Sequence, residues 1–402
     1  MHETAGCGRG LGSTDTHPPA PHMTVTTPLD AARPSAHGHA TRPRASLDLA
    51  GTTLLASVIL LAGCGGDSAA PISDTNQPLC QLSEELLVQA AVPEAIPALT
   101  RPLMIHPGEA TYLEDDDRVL GVVLDGEARA YPLNILWSHE IINDRIGNRF
   151  VTVTYCPLTG SGLALDATVG GRRVEFAVSG LLWANNLVMF DRISEDIYGP
   201  QLSVDGRCQG FMGAHPDLIP VREMSWGRWK ELYPNTTVVS SQTGFSRSYR
   251  VNPYGNYGDL DNDDLLFAMD VDRSRPIKER VLGIRTTDYK GIAYPFGELA
   301  RMGGTVALNQ VVRDDPVVVF YERDHGEAAA AFTPVVDGRT LTFEVVDGAI
   351  RDRETGTVWS FSGASVEGPL VPARLAPLPN AYVVYWFAWR HFQPDAVTWT
   401  AP

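Results

Sequence analysis

Along most of the chain, apolar and polar positions alternate with a period of two, in short runs rich in β-branched and aromatic residues. Phe150–Tyr155, Leu163–Ala167, Arg173–Val178 and Leu187–Phe190 are such runs, bounded by Gly and Asn turns, which predicts strands. Upstream, Val119–Leu124 turns at Asp125-Gly126 into a second strand that ends in Ala-Tyr-Pro. Helical spacing is confined to short pieces: about Asn134–Asn143, and two aromatic stretches near Ser225–Tyr233 and Tyr385–Phe392. In the aromatic stretches Trp226 and Trp229, and again Trp386 and Trp389, stand at i and i+3 on one face. Large aromatics on one helix face predict an anchor that closes a sheet.

The same pattern returns once. Val119-Leu-Gly with Ala-Tyr-Pro132 recurs as Val281-Leu-Gly with Ala-Tyr-Pro295, and Gly171-Arg-Arg-Val-Glu-Phe176 as Gly338-Arg-Thr-Leu-Thr-Phe343. Asp191-Arg192 is echoed by Asp352-Arg353, and Trp226-Gly-Arg-Trp229 by Trp386-Phe-Ala-Trp389. Four echoes in one order predict an internal duplication. The expected fold is α+β and β-rich, with two homologous halves, each a small sheet closed by a short aromatic helix. The expected divisions are 1–63 as leader, 64–95 as a flexible tether, 96–246 and 281–402 as the halves, and 247–280 as connector.

The first 63 residues lie outside this pattern. A Pro- and His-rich preamble leads to Arg42 and Arg44, then to a short apolar run ending Leu61-Ala-Gly-Cys64. A basic flank, a short apolar core and small residues at the end make a secretory signal rather than a membrane span. The long preamble is consistent with a true start at Met23 or later. The terminal box resembles that of bacterial lipoproteins. By that resemblance Cys64 is lipidated and anchors the protein outside the cytoplasm, in the outer membrane of a host that has one, since Gly65 rather than Asp follows.

Acidic residues exceed basic ones by 48 − 32 = 16, and the leader contributes equally to both. A body this acidic repels polyanions, which argues against nucleic acid as partner. Once Cys7 is removed and Cys64 lipidated, Cys80, Cys156 and Cys208 remain, an odd number that leaves at least one thiol free. The favoured pair is Cys80–Cys208, with Cys156 free at the end of its strand.

Val151–Gly162, His139-Glu-Ile-Ile-Asn-Asp144, Ala130-Tyr-Pro132, Ser179-Gly180, Asn186-Leu-Val-Met189 and Pro253-Tyr254 together resemble the family called domain of unknown function 3179. The likeness runs from about Ile96 to the C-terminus. It implies a secreted or lipid-anchored protein with no established activity. It also implies that many members carry a second Cys where this chain has Thr159, a Cys-Pro-Leu-Cys spacing for metal or redox chemistry that this chain does not complete.

The candidate chemistry gathers in the first half. Tyr155-Cys156 falls opposite Tyr321-Glu322, and His139-Glu140 opposite Arg301–Gly303, so only the first half keeps Cys, His and Glu. One possibility is a catalytic thiol, Cys156, with His139 as base and Glu140 or Asp144 as orienter. Ser161 lacks the spacing of a hydrolase elbow. A second is zinc or copper held by His139, Glu140 and Cys156, with His106 as a further ligand. Asp259, Asp261 and Asp263, with Asp270 at the twelfth position, outline a weak calcium loop, although position six is Asp264 rather than Gly. A third is a non-catalytic binding or scaffold protein whose aromatic loops, Trp183–Asn186 and Tyr249–Tyr257, line a groove. The expectation is a ligand- or metal-binding lipoprotein with its site around Cys156 and His139.

Overall fold

The computed structural model describes residues 84–195, 197–203, 215–324 and 326–402. The signal segment, Cys64 with its lipidation, and the Cys80–Cys208 pair lie outside these residues. Among the described residues the fold is β-rich and built from many small open sheets. Its α-helices are four, of seven residues each: α1 Leu133–His139, α2 Trp226–Leu232, α3 Phe296–Met302 and α4 Trp386–Phe392. None is long and apolar enough to cross a membrane.

Both Ala-Tyr-Pro motifs end a strand and start a helix. Pro132 and Pro295 sit at the N-cap with φ near −64° and −62°, the value the pyrrolidine ring imposes. α1 stops earlier than its sequence predicts, because Glu140 adopts φ +56° and Ile141–Ile146 pairs as a strand with Arg149–Cys156. The β-branched Ile141-Ile142 pair favours that outcome over a longer helix.

Three sheet patterns occur in residues 96–246 and again in 281–402. Strand Arg118–Leu124 lies between Val221–Ser225 and Glu127–Pro132, both antiparallel, and Thr237–Val239 then adds in parallel. Arg280–Ile284 lies likewise between Ala381–Tyr385 and Ile292–Pro295, with Val397–Thr398 added in parallel. The antiparallel run Ile141–Ile146, Arg149–Cys156, Ser161–Asp166 has the same order as Thr305–Val312, Asp315–Glu322, Ala328–Thr333. The third pattern is Phe176–Trp183 with Asn186–Asp191 in one segment and Phe343–Val346 with Ala349–Asp352 in the other.

Side chains match at three places. Trp229 and Trp389 are buried flat against the glycine of Val-Leu-Gly; a Cβ on Gly121 or Gly283 would come within 2.0 or 2.1 Å of the indole. The Asn143 amide brackets the Phe176 backbone at 3.0 and 2.8 Å, and the Asn309 amide brackets that of Phe343 at 2.8 and 2.7 Å. The hairpin-tip glycines Gly160 and Gly326, both at positive φ, press on Tyr385 and Ser225, the residues just before the aromatic helices α4 and α2.

The two segments are not separately packed. Trp229 shares a core with Phe320, Phe332 and Trp359, while Trp386 and Trp389 share one with Cys156, Leu163 and Phe176. The fold also begins earlier than 96. Leu87–Gln89 pairs with Leu181–Trp183, so residues 84–95, expected in the tether, belong to the body.

Candidate functional site

The strand Arg149–Cys156 delivers Cys156 to a four-residue turn, Pro157–Gly160, and the chain returns through Ser161. α1 packs behind this hairpin, and its C-cap residue Glu140 is stitched to both elements. The Glu140 N–H donates to Leu136 O and its carbonyl accepts from Tyr155 N–H, each at 2.7 Å. The left-handed backbone at Glu140 costs on the order of 1 kcal/mol or more and fixes where its carboxyl points. That carboxyl enters an apolar cavity of about 150 Å³ between the hairpin, the strand Phe176–Trp183 and the connector. Ile96, Leu158, Val178, Leu182 and Leu187 line it, and Tyr254 contributes the one phenol. Val92 and Leu266 stand at its mouth, 71% and 56% exposed.

Glu140 is 5% exposed and has no cationic partner in the cavity, so burial pushes its carboxyl up to about 8, against a modest opposing hydrogen bond from Tyr254. At neutral pH it is mainly a protonated carboxylic acid. Cys156 lies behind the same wall, 1% exposed, with Sγ donating weakly to Asn185 O at 3.5 Å. Burial, and then the neighbouring Glu140, raise its thiol to about 11. Asn185 is the second left-handed residue of a two-residue hairpin turn, after Ala184, and its amide pairs with the Phe267 backbone at 2.8 and 3.0 Å. The connector is thereby held against the thiol.

His139 does not join this pair. Its Nδ1 donates to Pro97 O at 2.7 Å, so Nε2 accepts from the Tyr249 hydroxyl at 2.6 Å, and burial lowers its pKa. Both ring nitrogens are engaged, which leaves neither to deprotonate Cys156 nor to bind a metal. The expected imidazolium that would lower the thiol pKa is absent because the ring is neutral and turned toward the connector. Asp144 is likewise committed, to Arg129 at 2.6 Å and Tyr131 at 2.8 Å. His106 is exposed at a 3₁₀ turn, where its N–H donates to Glu109. No group of three His, Cys, Asp or Glu side chains among the described residues is arranged to hold a metal, so His139, Glu140 and Cys156 do not form the expected zinc or copper set.

Ser161 is fully buried in a closed polar network with Thr159, Asn186, Gln201 and Thr154, donating to Gln201 at 2.8 Å. Thr159, where the resemblance implies a second Cys in many members, hydrogen-bonds the Cys156 thiol. The carboxylates of Asp259, Asp261, Asp263 and Asp270 are exposed and do not converge, which removes the calcium reading. The acidic turn instead serves Lys278. That ammonium is buried, donates to Asp264 O at 2.8 Å and Tyr257 O at 3.1 Å, and lies over the Tyr257 ring. Burial lowers its pKa to about 7. Sequence patterns gave no sign of Lys278, which stands in an unremarkable Ile-Lys-Glu-Arg run.

The match to a known family covers residues 93–396, three-quarters of the sequence and nearly all of the described body. The chain belongs to the family described as Protein of unknown function (DUF3179). No curated protein and no solved structure matches it. In this chain the cavity takes Glu140, Leu158, Gly180, Leu187 and Tyr254 from the motifs that carry the resemblance.

Proposed function

We propose that this member of the family is a lipid-anchored, extracytoplasmic binding protein whose cavity takes a small, mainly apolar ligand bearing one hydrogen-bond acceptor, such as a ketone or other carbonyl. The observation that carries this is the Glu140 carboxyl, buried with no cation beside it in an otherwise apolar cavity. A protonated acid there donates one strong hydrogen bond, and the apolar walls supply the remaining affinity. The volume suits about one six-membered ring. Cys156 supports the cavity from behind; its raised thiol and its weak bond to a backbone carbonyl fit a structural role rather than a nucleophile.

Proton transfer by Glu140 is a second reading, favoured by the same raised pKa. The two separate in Glu140→Gln, which keeps a donor but cannot exchange a proton. Cyclohexanone titrated calorimetrically into the full chain in detergent is expected to saturate. Glu140→Gln should bind within about threefold of the native chain, whereas Glu140→Leu should bind at least tenfold more weakly, about 1.4 kcal/mol. Absence of saturation, or equal binding by Glu140→Leu, overturns the proposal.

For the remaining architecture we propose that residues 96–246 and 281–402 descend from a duplication, with 247–280 as connector and α2 and α4 as the aromatic closures. In support stand the matched sheet orders, the paired Gly121/Trp229 and Gly283/Trp389 contacts, and the two Asn–Phe brackets. Anchoring through Cys64 follows from its signal box; Cys64→Ala should release the protein from the membrane fraction, and unchanged fractionation would count against it.

A further inference from the structure

We infer that residues 96–246 carry a second binding site, an arginine-lined hollow that takes a doubly charged oxyanion of the phosphate-monoester class. The hollow, about 200 Å³, opens beside the hairpin tip at Gly147 and is walled by Arg101, Arg145, Arg173 and Phe150 over Asn143 and Asp144. Arg101 also borders the adjoining hollow, where Arg192 and Glu175 lie.

The charges there do not cancel. Arg145 donates to the neutral oxygens of Gly147 at 3.0 Å and Asn148 at 3.1 Å. Arg173 and Arg192 share Glu175, at 2.8 and 3.2 Å, and Arg192 has Glu94 besides. Asp144 is taken by Arg129 and Tyr131. Among the residues that line the hollow, three guanidiniums, Arg101, Arg145 and Arg173, face one carboxylate, Asp144, which leaves 3 − 1 = 2 positive charges. Phe150 draws two of these like charges to one ring: the Arg173 and Arg145 guanidiniums lie 4.8 and 5.9 Å from its centre. An anion with two charges and several oxygens matches both the excess and the forked donors.

The fold does not require this cluster. In the matching strands of residues 281–402, Val311 pairs with Pro316 as Arg145 pairs with Phe150, and Thr340 pairs with Val335 as Arg173 pairs with Thr168. At those four positions the second frame carries no charge. On a chain of net charge −16, such a local excess of arginine does not follow from composition.

The test is calorimetric titration of the full chain with inorganic phosphate at fixed low ionic strength, with chloride as reference. One-site saturation is expected. Arg145→Val with Arg173→Thr, the residues the matching strands use, should weaken it at least tenfold without shifting the melting temperature. If that pair disturbs folding, Arg145→Gln alone is read instead, with a loss of severalfold expected. Glycerol 3-phosphate and vesicles of phosphatidic acid in phosphatidylcholine then distinguish sources. Retention on the vesicles that the variant loses assigns a lipid headgroup; binding confined to the soluble phosphates assigns a free metabolite. No saturation, phosphate no better than chloride, or variants that bind like the native chain would overturn the inference.

Discussion

The two hairpins at the centre of the molecule share a frame and differ in what they place on it. In the first, Glu140 pairs with Tyr155 across the turn from α1, and Cys156 follows. In the second, Val306 pairs with Tyr321, and Glu322 follows. Val306 is buried as an ordinary core side chain. Glu322 reaches Arg228 through two bonds of 2.8 Å, a charge neutralised on the spot. Only the first hairpin puts an acid against an apolar wall with no cation. Since the second hairpin folds with valine at that point, the acid is not there to make the fold. A locally unfavourable residue on a frame that tolerates a favourable one supports the binding role proposed for this cavity.

The largest way to break the comparison is through its shared anchors. Trp229→Ala and Trp389→Ala should each cost about 3–5 kcal/mol. Because two cores draw on both segments, each variant should still unfold in one cooperative step by circular dichroism. Two separate transitions would show segments more independent than their packing implies.

Next in size is Glu140→Gln. Its folded pKa of about 8 lies above the ordinary 4.5, so between those values the native state holds a proton that the unfolded chain has released. Stability therefore falls as pH rises from about 4.5 to about 8. The variant should be more stable than the native chain by roughly 3 kcal/mol at pH 7, at about 1.4 kcal/mol per pH unit, with the gain fading toward pH 4.5. Urea midpoints against pH read this directly. Glu322→Gln should do the opposite. It loses a charge-assisted pair that is largely shielded from water, and roughly 1–2 kcal/mol with it at neutral pH. Equal signs for the two variants would erase the contrast between the hairpins.

The smallest effect concerns reactivity. With its thiol raised to about 11 and buried, Cys156 in the native protein should resist labelling below about pH 9, and His139→Ala should leave its pH profile unchanged. Rapid labelling that His139→Ala weakens would restore a reactive cysteine.

Much of this was legible in the chain. The strand runs and the Trp pairs at i and i+3 depend on local periodicity, and Glu140, Cys156 and the Tyr249–Tyr257 loop were each open to nomination. Four things were not. The end of α1 depends on one left-handed residue, Glu140, which no spacing announces. The helix frame sets Glu140 opposite Gly303, the C-cap of α3, as the alignment has it, but strand register sets Glu140 beside Val306, because the second segment has three more residues between helix and strand pairing. The rotation of His139 toward Pro97 and Tyr249 is a tertiary choice, as is the burial of Lys278 under Tyr257. Proximity in sequence points to His139 as a partner for the thiol, whereas proximity in space belongs to Glu140.

The protonation of Glu140 can be read in the native protein from the carboxyl carbons of glutamate-labelled chain by NMR, with Glu140→Gln identifying the resonance. A titration near pH 8 that moves upward when cyclohexanone is added is the expected result, since a ligand that accepts from the acid stabilises its protonated form. A resonance that titrates in the ordinary carboxylate range and ignores cyclohexanone would contradict it.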